Sequence, residues 1–444
     1  MFNKLLLISL VALSAHAWAQ EPARPFRAAV VKVNITPDNP QWLRGYNPRQ
    51  STEVLDSLYH RIVVLDDGFT QFYLISSDIV GMPSAEYLKV TSILQKRLGI
   101  NPLNVWWSAT HTHSAPEIAA QFKGIPYPSM ANRSQLASRH EIDTVYTASV
   151  ERKLVEGVIA ARGKLTPARL GVGWGFSQAN INRRAIDVDG KASLGLNPDG
   201  EVDRRIGILR IDKPNGEPLV LIANYPIHGT VLGGESTKIS GDVPGVVSEY
   251  VQKKIGAPVL FINGAAGNLA PIYSVYANER AGHLRQFSVL LGDKIIEASN
   301  DISPARGSVK LTVRSIIVET PRRQGLGWSA DLSDYTRTTN TGIDLVRLPI
   351  GFLRIDDDIA IWSAPVEMFC DISNRVRNRS PFPYTFYFGY TNGSLGYLPA
   401  AYAWKEEGYE PSVSPFTPAV EKDLTDAVIG YLQGELKSVD NLDK

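Results

Sequence analysis

The chain has 444 residues, of which 44% are hydrophobic and 20% charged, a composition typical of globular proteins with a large buried core. The formal net charge of +1 gives no electrostatic basis for binding nucleic acid or an anionic membrane surface. A single cysteine, Cys370, excludes an intramolecular disulfide, and we expect it to be a small buried residue rather than a nucleophile. Proline and glycine are dispersed and no internal repeat divides the chain, so we expect one domain.

The N-terminal segment has the pattern of a secretory signal. One basic residue, Lys4, precedes an apolar stretch over residues 5–13, and an Ala-x-Ala pattern follows that ends at Ala19. This arrangement predicts a signal peptide over residues 1–19 and a mature domain over residues 20–444. The apolar stretch is too short to span a membrane, and no later stretch reaches that length. We therefore expect an exported protein, periplasmic or secreted, without a transmembrane segment in the mature chain.

Short apolar segments alternate along the chain with segments whose apolar residues recur every three or four positions. The first kind predicts strands at 61–67, 71–78, 104–110, 218–225, 258–264 and 359–365. The second kind predicts helices at 84–99, 143–163, 281–299 and 421–436. The alternation predicts an α/β fold with a mixed β-sheet core flanked by helices. In open α/β sheets ligands bind outside the carboxyl ends of the strands, where we expect the active site.

Polar residues stand at or shortly after the ends of several predicted strands, namely Asp78, His111, His113, His228, Asn268 and Glu367, and Asp242 follows further along in the SGD segment (240–242). Histidine nitrogens and a carboxylate are the usual ligands of a hydrolytic zinc ion, which keeps one position open for water. In an extended segment His111 and His113 would face the same side, so one could bind metal while the other acts as a base or hydrogen-bond donor. A structural interpretation remains open for each residue, such as a helix cap for Asp242 or a helix N-terminus for Glu367.

An ordered series of short motifs spans about residues 30–420. The motifs are VNIT (33–36), GY (45–46), SATHTHSAP (108–116), NINRR (180–184), IHGT (227–230), SGD (240–242), NGAAGNLAP (263–271), APVEMF (364–369) and NGSLGYLPAAYAWKEEGYE (392–410). In this order they resemble the neutral/alkaline ceramidase family of zinc-dependent amidases. The order makes the resemblance far more specific than the His-x-His pair alone.

The resemblance implies a set of roles for individual residues. The implied zinc ligands are His111, His228, Glu367 and Tyr397. His113 would contact the substrate or an intermediate, Arg183 would hold the substrate or the developing charge, and Tyr409 would contact or support the substrate. The implied reaction is hydrolysis of the amide bond of an N-acylated amine, such as ceramide or a related N-acyl lipid, by attack of zinc-bound water.

Several positions depart from the pattern of the family. Arg184 replaces a usual serine, Asn268 a usual aspartate and Val366 a usual glycine, so substrate contacts are the feature most exposed to change. The chain also ends before any segment that could form the immunoglobulin-like C-terminal domain of full-length ceramidases, so we expect the catalytic domain alone.

Two alternatives to an N-acyl lipid amidase stay open. The same zinc site could act on another ester, amide or acidic saccharide, with Arg183 holding a carboxylate. A non-catalytic binding protein is the other, but it conflicts with the joint presence of four ligands, His113 and Arg183. A small molecule or lipid is thus the expected partner, and the oligomeric state is left open.

Overall fold

The structure, a computed structural model, describes residues 24–46, 49–119, 143–274, 283–325 and 330–434. The predicted signal peptide lies outside these described residues. The strands in chain order are β1 (Arg27–Asn34), β2 (Trp42–Leu43), β3 (Arg49–Gln50), β4 (Glu53–Val54), β5 (Tyr59–Asp66), β6 (Gln71–Ser77), β7 (Val105–Ala109), β8 (Thr166–Pro167), β9 (Arg169–Phe176), β10 (Asn180–Ile186), β11 (Ala192–Asn197), β12 (Arg205–Asp212), β13 (Pro218–Tyr225), β14 (Lys238–Ile239), β15 (Val259–Asn263), β16 (Leu269–Pro271), β17 (Leu311–Pro321), β18 (Thr336–Thr338), β19 (Asp344–Ile355), β20 (Ile359–Ser363), β21 (Glu367–Met368), β22 (Tyr384–Phe388) and β23 (Tyr397–Leu398). The α-helices are α1 (Ser84–Leu98), α2 (Thr144–Arg162), α3 (Asp242–Ile255), α4 (Lys294–Asn300), α5 (Cys370–Arg379), α6 (Ala403–Glu406), α7 (Tyr409–Val413) and α8 (Val420–Leu432).

Three larger sheets carry most of these strands. Their strand orders are β7-β6-β5-β1-β8, β15-β13-β12-β9 and β17-β19-β20-β22, with β18 paired to β19. Each sheet is mainly antiparallel and contains one parallel pair, β6 with β7, β13 with β15, and β20 with β22. The two strands of a parallel pair end at the same edge, so each pair delivers two chain segments to one side of its sheet.

Helices cover the outer surfaces of the sheets. Helix α2 packs on β1 and β5, α3 on β15, α4 on β9 and β12, and α8 on β17. The predicted α/β class, with mixed sheets flanked by helices, is therefore confirmed. None of the helices in the described ranges is both long and apolar enough to cross a membrane.

The six predicted strands all occur, as β5, β6, β7, β13, β15 and β20. The helices predicted at 84–99, 143–163 and 421–436 correspond to α1, α2 and α8, although residues 435–436 lie outside the described ranges. The helix predicted at 281–299 is confirmed in part: residues 281–282 lie outside the described ranges, and the helical segment from Leu284 consists of a 3₁₀ turn (Leu284–Gln286) and a π-helical turn (Ser288–Asp293) before α4. Tertiary packing explains the widened turn: Gly292 lies against the ring of Tyr250, whose hydroxyl donates to Asp293 (2.7 Å).

The first sheet is buried on both faces, which explains the continuous apolar stretch of β7. The neighbouring side chains Trp106 and Trp107 point to opposite faces and are almost completely buried. Trp107 packs in the core below α1 and α2, whereas Trp106 packs between the sheets. Cys370 is buried as expected, and burial raises the pKa of its thiol well above its usual value.

Hydrogen bonds join the three sheets close to the carboxyl ends of their parallel pairs. Ser76 Oγ donates to the carbonyl of Phe261 (2.6 Å), which links the first sheet to the second. Asn224 Nδ2 donates to the carbonyl of Tyr387 (3.0 Å), which links the second sheet to the third. The segments that follow these strands therefore meet in one region.

His60 gives the fold a pH-dependent contribution that can be measured. Its ring is buried between Ser77 Oγ (2.6 Å) and the carbonyl of Val150 (3.0 Å), and burial lowers its pKa to about 4. Because the folded pKa is below the unfolded value of ~6.5, the neutral form stabilises the protein above that value, and this contribution is lost as pH falls towards 4. We expect the free energy of unfolding of the wild type, relative to His60→Gln, to fall by roughly 2 kcal/mol between pH 7 and pH 5. Urea unfolding at both pH values measures it, and a constant difference would contradict the prediction.

Candidate metal centre

The segment after β7 brings both histidines of the His-x-His pair into one site, but not through an extended backbone. His111 has a φ of 65°, in the left-handed region that is costly for a residue with a side chain, so the predicted extended geometry is wrong. The N–H of His111 donates to the carbonyl of Ile79 (3.0 Å), and His113 N–H donates to the carbonyl of Gly229 (2.8 Å). These bonds hold the turn, and the two Nε2 atoms lie 3.2 Å apart.

The loop after β13 is pressed against this turn at a glycine. A Cβ atom at Gly229 would lie 2.7 Å from Thr112 Cα, a separation that only glycine avoids. Asp242, with a φ of 49°, accepts hydrogen bonds from the N–H groups of Val231 and Leu232 (both 3.1 Å) and begins α3. Asp242 is therefore structural, as one of its two interpretations predicts, and it shapes the loop that carries His228.

Three side-chain atoms converge between these loops and the segment after β20. Glu367 Oε2 lies 3.2 Å from His111 Nε2 and 3.4 Å from His228 Nε2. The opposite ring nitrogens are held by backbone carbonyls: His111 Nδ1 lies 2.6 Å from the oxygen of Val80, and His228 Nδ1 lies 2.9 Å from the oxygen of Leu269. A carbonyl only accepts, so both Nδ1 atoms carry the proton and both Nε2 atoms present lone pairs.

This donor set fits a bound cation. Glu367 Oε2 is buried and receives no hydrogen bond from the described residues, while the two nearest nitrogens are themselves acceptors. Burial lowers the pKa of His228 to about 3, so its ring is the neutral form that binds metals. Ligands of a tetrahedral zinc ion with bonds of ~2.0–2.1 Å lie ~3.3 Å from one another, which matches the observed separations.

His113 belongs to the same cluster but is held differently. The ligand nitrogens of His111, His113 and His228 all lie within 4.8 Å of one another, so these three histidines also form a possible metal-binding group. His113 Nδ1, however, is buried and has no hydrogen-bond partner in the described part of the chain. Burial, followed by the neighbouring His111 and His228, holds the pKa of His113 well below its usual value.

The remaining predicted site residues adjoin this cluster. Strands β21 and β23 pair in parallel, which places Glu367 opposite Tyr397. The guanidinium of Arg183 donates through Nη1 to His228 Nε2 (3.1 Å) and through Nη2 to the hydroxyl of Tyr397 (3.2 Å). The ring of Tyr409 lies 5.5 Å from that of Tyr397. All seven predicted site residues therefore form one connected group, and their individual roles stay predictions.

Other residues of the site carry no clear sequence signal. The ring of Tyr390 lies 4.2 Å from that of His111 at 30°, and its buried hydroxyl has no partner among the described residues. The ring of Tyr46 packs edge-on against His113 at 5.0 Å, and a Cβ at Gly45 would lie 2.5 Å from the His113 ring. The Gly45–Tyr46 pair was recognisable only as a motif without a role.

Two departures from the family pattern are buried in the structure. The side-chain oxygen of Asn268 accepts the N–H of Cys370 (2.9 Å), and its carbonyl accepts the N–H of Arg183 (2.9 Å). Val366 lies in the core directly before Glu367. Asn268 therefore supports the backbone of the site, and Val366 packs in the core next to it.

Asn263, the last residue of β15, ties together the segments that carry the histidines. Its amide nitrogen donates to the carbonyls of Thr110 (3.2 Å) and Ile227 (2.8 Å), and its oxygen accepts the N–H of Ile227 (3.0 Å). Thr110 directly precedes His111, and Ile227 directly precedes His228. A single fully buried side chain thus fixes the separation of the two segments.

We expect Asn263→Ala to lower the free energy of unfolding by about 3 kcal/mol, because buried backbone groups lose their partners, and to reduce metal content as well. Asn224→Ala is the matched control, because Asn224 is also a buried asparagine that bonds backbone carbonyls, but those of Ile262 and Tyr387. Urea unfolding and metal analysis measure both effects. Equal metal content in the two variants would show that Asn263 does not set the geometry of the site.

Sequence comparison relates this geometry to known proteins. Residues 36–263 match the sequence model of the family described as "Neutral/alkaline non-lysosomal ceramidase, N-terminal". "Neutral ceramidase B" of Dictyostelium discoideum is 26% identical over 226 residues, which is 50% of this chain and 29% of that protein. "Neutral ceramidase A" of the same organism is 26% identical over 153 residues, 34% of this chain and 20% of that protein. The matches thus span less than a third of the length of either relative.

The fold is similar to that of solved ceramidase structures. The neutral ceramidase from Pseudomonas aeruginosa superimposes with a TM-score of 0.71 at 20% identity, covering 94% of this chain and 77% of that one. A "Ceramidase complexed with C2" gives a TM-score of 0.71 at 19% identity, covering 94% and 78%. The family match spans more than half of this sequence, residues 36–263. The chain therefore belongs to the neutral/alkaline non-lysosomal ceramidase family.

Proposed function

We propose that this chain is an exported, zinc-dependent amidase that hydrolyses the amide bond of an N-acylated amine, either ceramide or a related N-acyl lipid. The observation that carries the proposal is the convergence of His111, His228 and Glu367 on one point in a member of a ceramidase family. Groups suited to acyl transfer lie around that point: Arg183, His113, and Tyr397 with Tyr409 packed against it.

His111, His228, Glu367 and Tyr397 would hold the metal. Two imidazole nitrogens and a carboxylate favour zinc, and the carbonyls behind His111 and His228 would orient both rings. When bound, zinc supplies a water with a lowered pKa and polarises a substrate carbonyl. A metal also favours the phenolate form of Tyr397, whose pKa burial otherwise raises well above its usual value.

The protein supplies the remaining chemistry. Arg183 is always protonated and would place N–H groups beside the oxygen on which negative charge develops. His113, neutral and buried, would accept a proton from the attacking water at a ring nitrogen and return that proton to the leaving amine. Tyr409 packs against Tyr397 and would contact the bound substrate.

The test is metal analysis of the purified protein together with acyl release from a panel of substrates. The panel contains ceramides of different chain length, N-acylethanolamines, acyl esters and an acidic N-acyl saccharide. We expect close to one zinc per chain, with acyl release from N-acyl lipids that stops after chelation and returns with zinc. Zinc with release only from esters or saccharides would reject the substrate class, and absence of zinc would reject the mechanism.

A further inference from the structure

Two consecutive arginines share one buried carboxylate beside the metal centre. Arg183 Nε donates to Glu410 Oε1 (2.9 Å), and Arg184 Nη1 donates to Glu410 Oε2 (2.7 Å). The side chain of Glu410 is 1% exposed, and those of Arg183 and Arg184 are 9% and 3% exposed. A carboxylate this deeply buried is costly unless both of its oxygens are paired, and here a different arginine pairs each one.

An irregularity in the β10–β11 hairpin makes this sharing possible. Successive side chains of a regular strand point to opposite faces, so Arg183 and Arg184 would diverge. The register of β10 against β11 shifts between Asn182 and Arg184, as it does at a β-bulge. The shift lets both arginines reach Glu410, and bulges of this kind redirect side chains next to active sites.

Arg184 also fastens the segment that carries Glu410 onto the hairpin. Its Nη2 donates to the carbonyl of Glu407 (2.8 Å) and lies 3.2 Å from Glu406 Oε2. Gly408 allows this segment to approach β11 closely, because a Cβ at Gly408 would lie 2.9 Å from the carbonyl oxygen of Ala192. The φ of Gly408 is 93°, a conformation that favours glycine. The same short segment delivers Tyr409 to Tyr397 and Glu410 to Arg183.

Glu410 thereby determines how Arg183 faces the site. The two terminal nitrogens of Arg183 point to His228 Nε2 and to the hydroxyl of Tyr397. A guanidinium is planar, so fixing Nε on Glu410 fixes the plane in which the other two nitrogens lie. Without the bond at Nε, the long side chain could turn away from the position where the oxyanion develops.

We propose that Glu410 and Arg184 are positioning residues that fix the plane of the Arg183 guanidinium beside His228 and Tyr397, so that its terminal N–H groups face the position where the oxyanion develops. The role given to Arg183 rests on the proposed function. Neither Glu410 nor Arg184 touches the substrate in this proposal, and both act through Arg183.

The test is a double-mutant cycle with Glu410→Gln, which keeps the size of the side chain and removes its charge. We expect unchanged zinc content, a ~10- to 100-fold lower kcat and a KM within about twofold of the wild type. In an Arg183→Met background, Glu410→Gln should have no further effect on kcat. Asp358→Asn is the matched control, because it removes a carboxylate charge from the Arg306–Asp358 ion pair at the opposite end of β20 and should leave kcat unchanged.

A second measurement separates this inference from the proposed function. Binding of decanoate, measured by calorimetry, probes the Arg183 guanidinium with a carboxylate and needs no turnover. We expect Glu410→Gln to weaken decanoate binding ~10-fold. Arg184→Lys should weaken decanoate binding less, because lysine keeps the charge but lacks the planar set of donors of arginine. If the wild type binds decanoate in this way but hydrolyses no N-acyl lipid, the inference stands and the proposed function fails.

Three results would overturn the inference. One is a further loss of kcat from Glu410→Gln when Arg183 is already Met, which would indicate a general structural role. Another is wild-type kcat and decanoate affinity in a folded Glu410→Gln variant. The third applies if Glu410→Gln does not fold, in which case Arg184→Lys takes its place. With zinc content retained, Arg184→Lys should show a lower kcat and weaker decanoate binding. Wild-type kcat and decanoate affinity in Arg184→Lys would reject the proposal.

Discussion

His228→Ala is expected to abolish metal binding and to lower kcat by at least ~10³-fold, equivalent to ~4 kcal/mol of transition-state stabilisation. The Nε2 atom of His228 faces Glu367 Oε2 at 3.4 Å, and its Nδ1 is fixed by the carbonyl of Leu269. Removing the ring leaves three of the four proposed ligands, His111, Glu367 and Tyr397, and a buried carbonyl without its donor. Zinc content by elemental analysis, together with acyl release under saturating substrate, measures both effects.

The control for this variant is His283→Ala, which removes an exposed histidine on the surface of the domain. It should keep the zinc content and kcat of the wild type. Because His228 lies in a loop, we expect His228→Ala to stay folded, which far-ultraviolet circular dichroism and urea unfolding check. Full zinc occupancy in a folded His228→Ala variant would mean that the ligand set is wrong.

The elements that the sequence predicted are those in which local pattern and tertiary environment agree. The strand at 104–110 could be predicted because both faces of β7 are buried, which leaves a continuous apolar stretch around Trp106 and Trp107. Helices α1 and α2 keep one apolar face against the first sheet, so their periodicity survives in the sequence. The π-helical turn at Ser288–Asp293 could not be predicted, because it depends on the position of Tyr250 in α3.

The division of the strands into three sheets was equally hidden. Alternating strands and helices resemble the pattern of one parallel sheet, yet each parallel pair here belongs to a different sheet. Contacts between distant segments decide this arrangement, such as the bond from Trp107 N–H to Asn392 Oδ1 (2.8 Å). His111, His228 and Glu367 follow β7, β13 and β20, one strand from each sheet, so these three residues meet only when the sheets pack together.

Ordered motifs predicted seven residues that the structure brings together, but the residues that support them could not be predicted. His111 adopts a left-handed backbone that no propensity favours, and it is held by Ile79 and Gly229. Glu410 sits beside Tyr409 without any distinguishing spacing, and its role depends on the shifted register of the β10–β11 hairpin. Supports of this kind are set by geometry in three dimensions and leave no periodic trace in the sequence.

His113→Ala is expected to keep the metal and to lose turnover, which distinguishes two possible ligand sets. His111 and His228 both have Nδ1 fixed by a carbonyl, the usual support of a metal-binding imidazole, whereas His113 Nδ1 has no partner in the described residues. We therefore expect zinc content within about twofold of the wild type and a kcat lower by ~10²- to 10⁴-fold, the range for loss of a general acid or base.

Glu367→Gln is the companion variant, because the two ligand sets predict opposite results for it. If His111, His228 and Glu367 bind the metal, Glu367→Gln loses zinc and His113→Ala keeps it. If the three clustered histidines bind the metal instead, His113→Ala loses zinc as completely as His228→Ala, and Glu367→Gln retains it. Zinc titrations of the three variants at one pH decide between these sets without any knowledge of the substrate. Retention of zinc with loss of kcat in His113→Ala would then assign His113 to the reaction itself. Its ring lies 4.8 Å from that of His111, and among the described residues its Nδ1 has no carbonyl partner of the kind that supports His111 and His228.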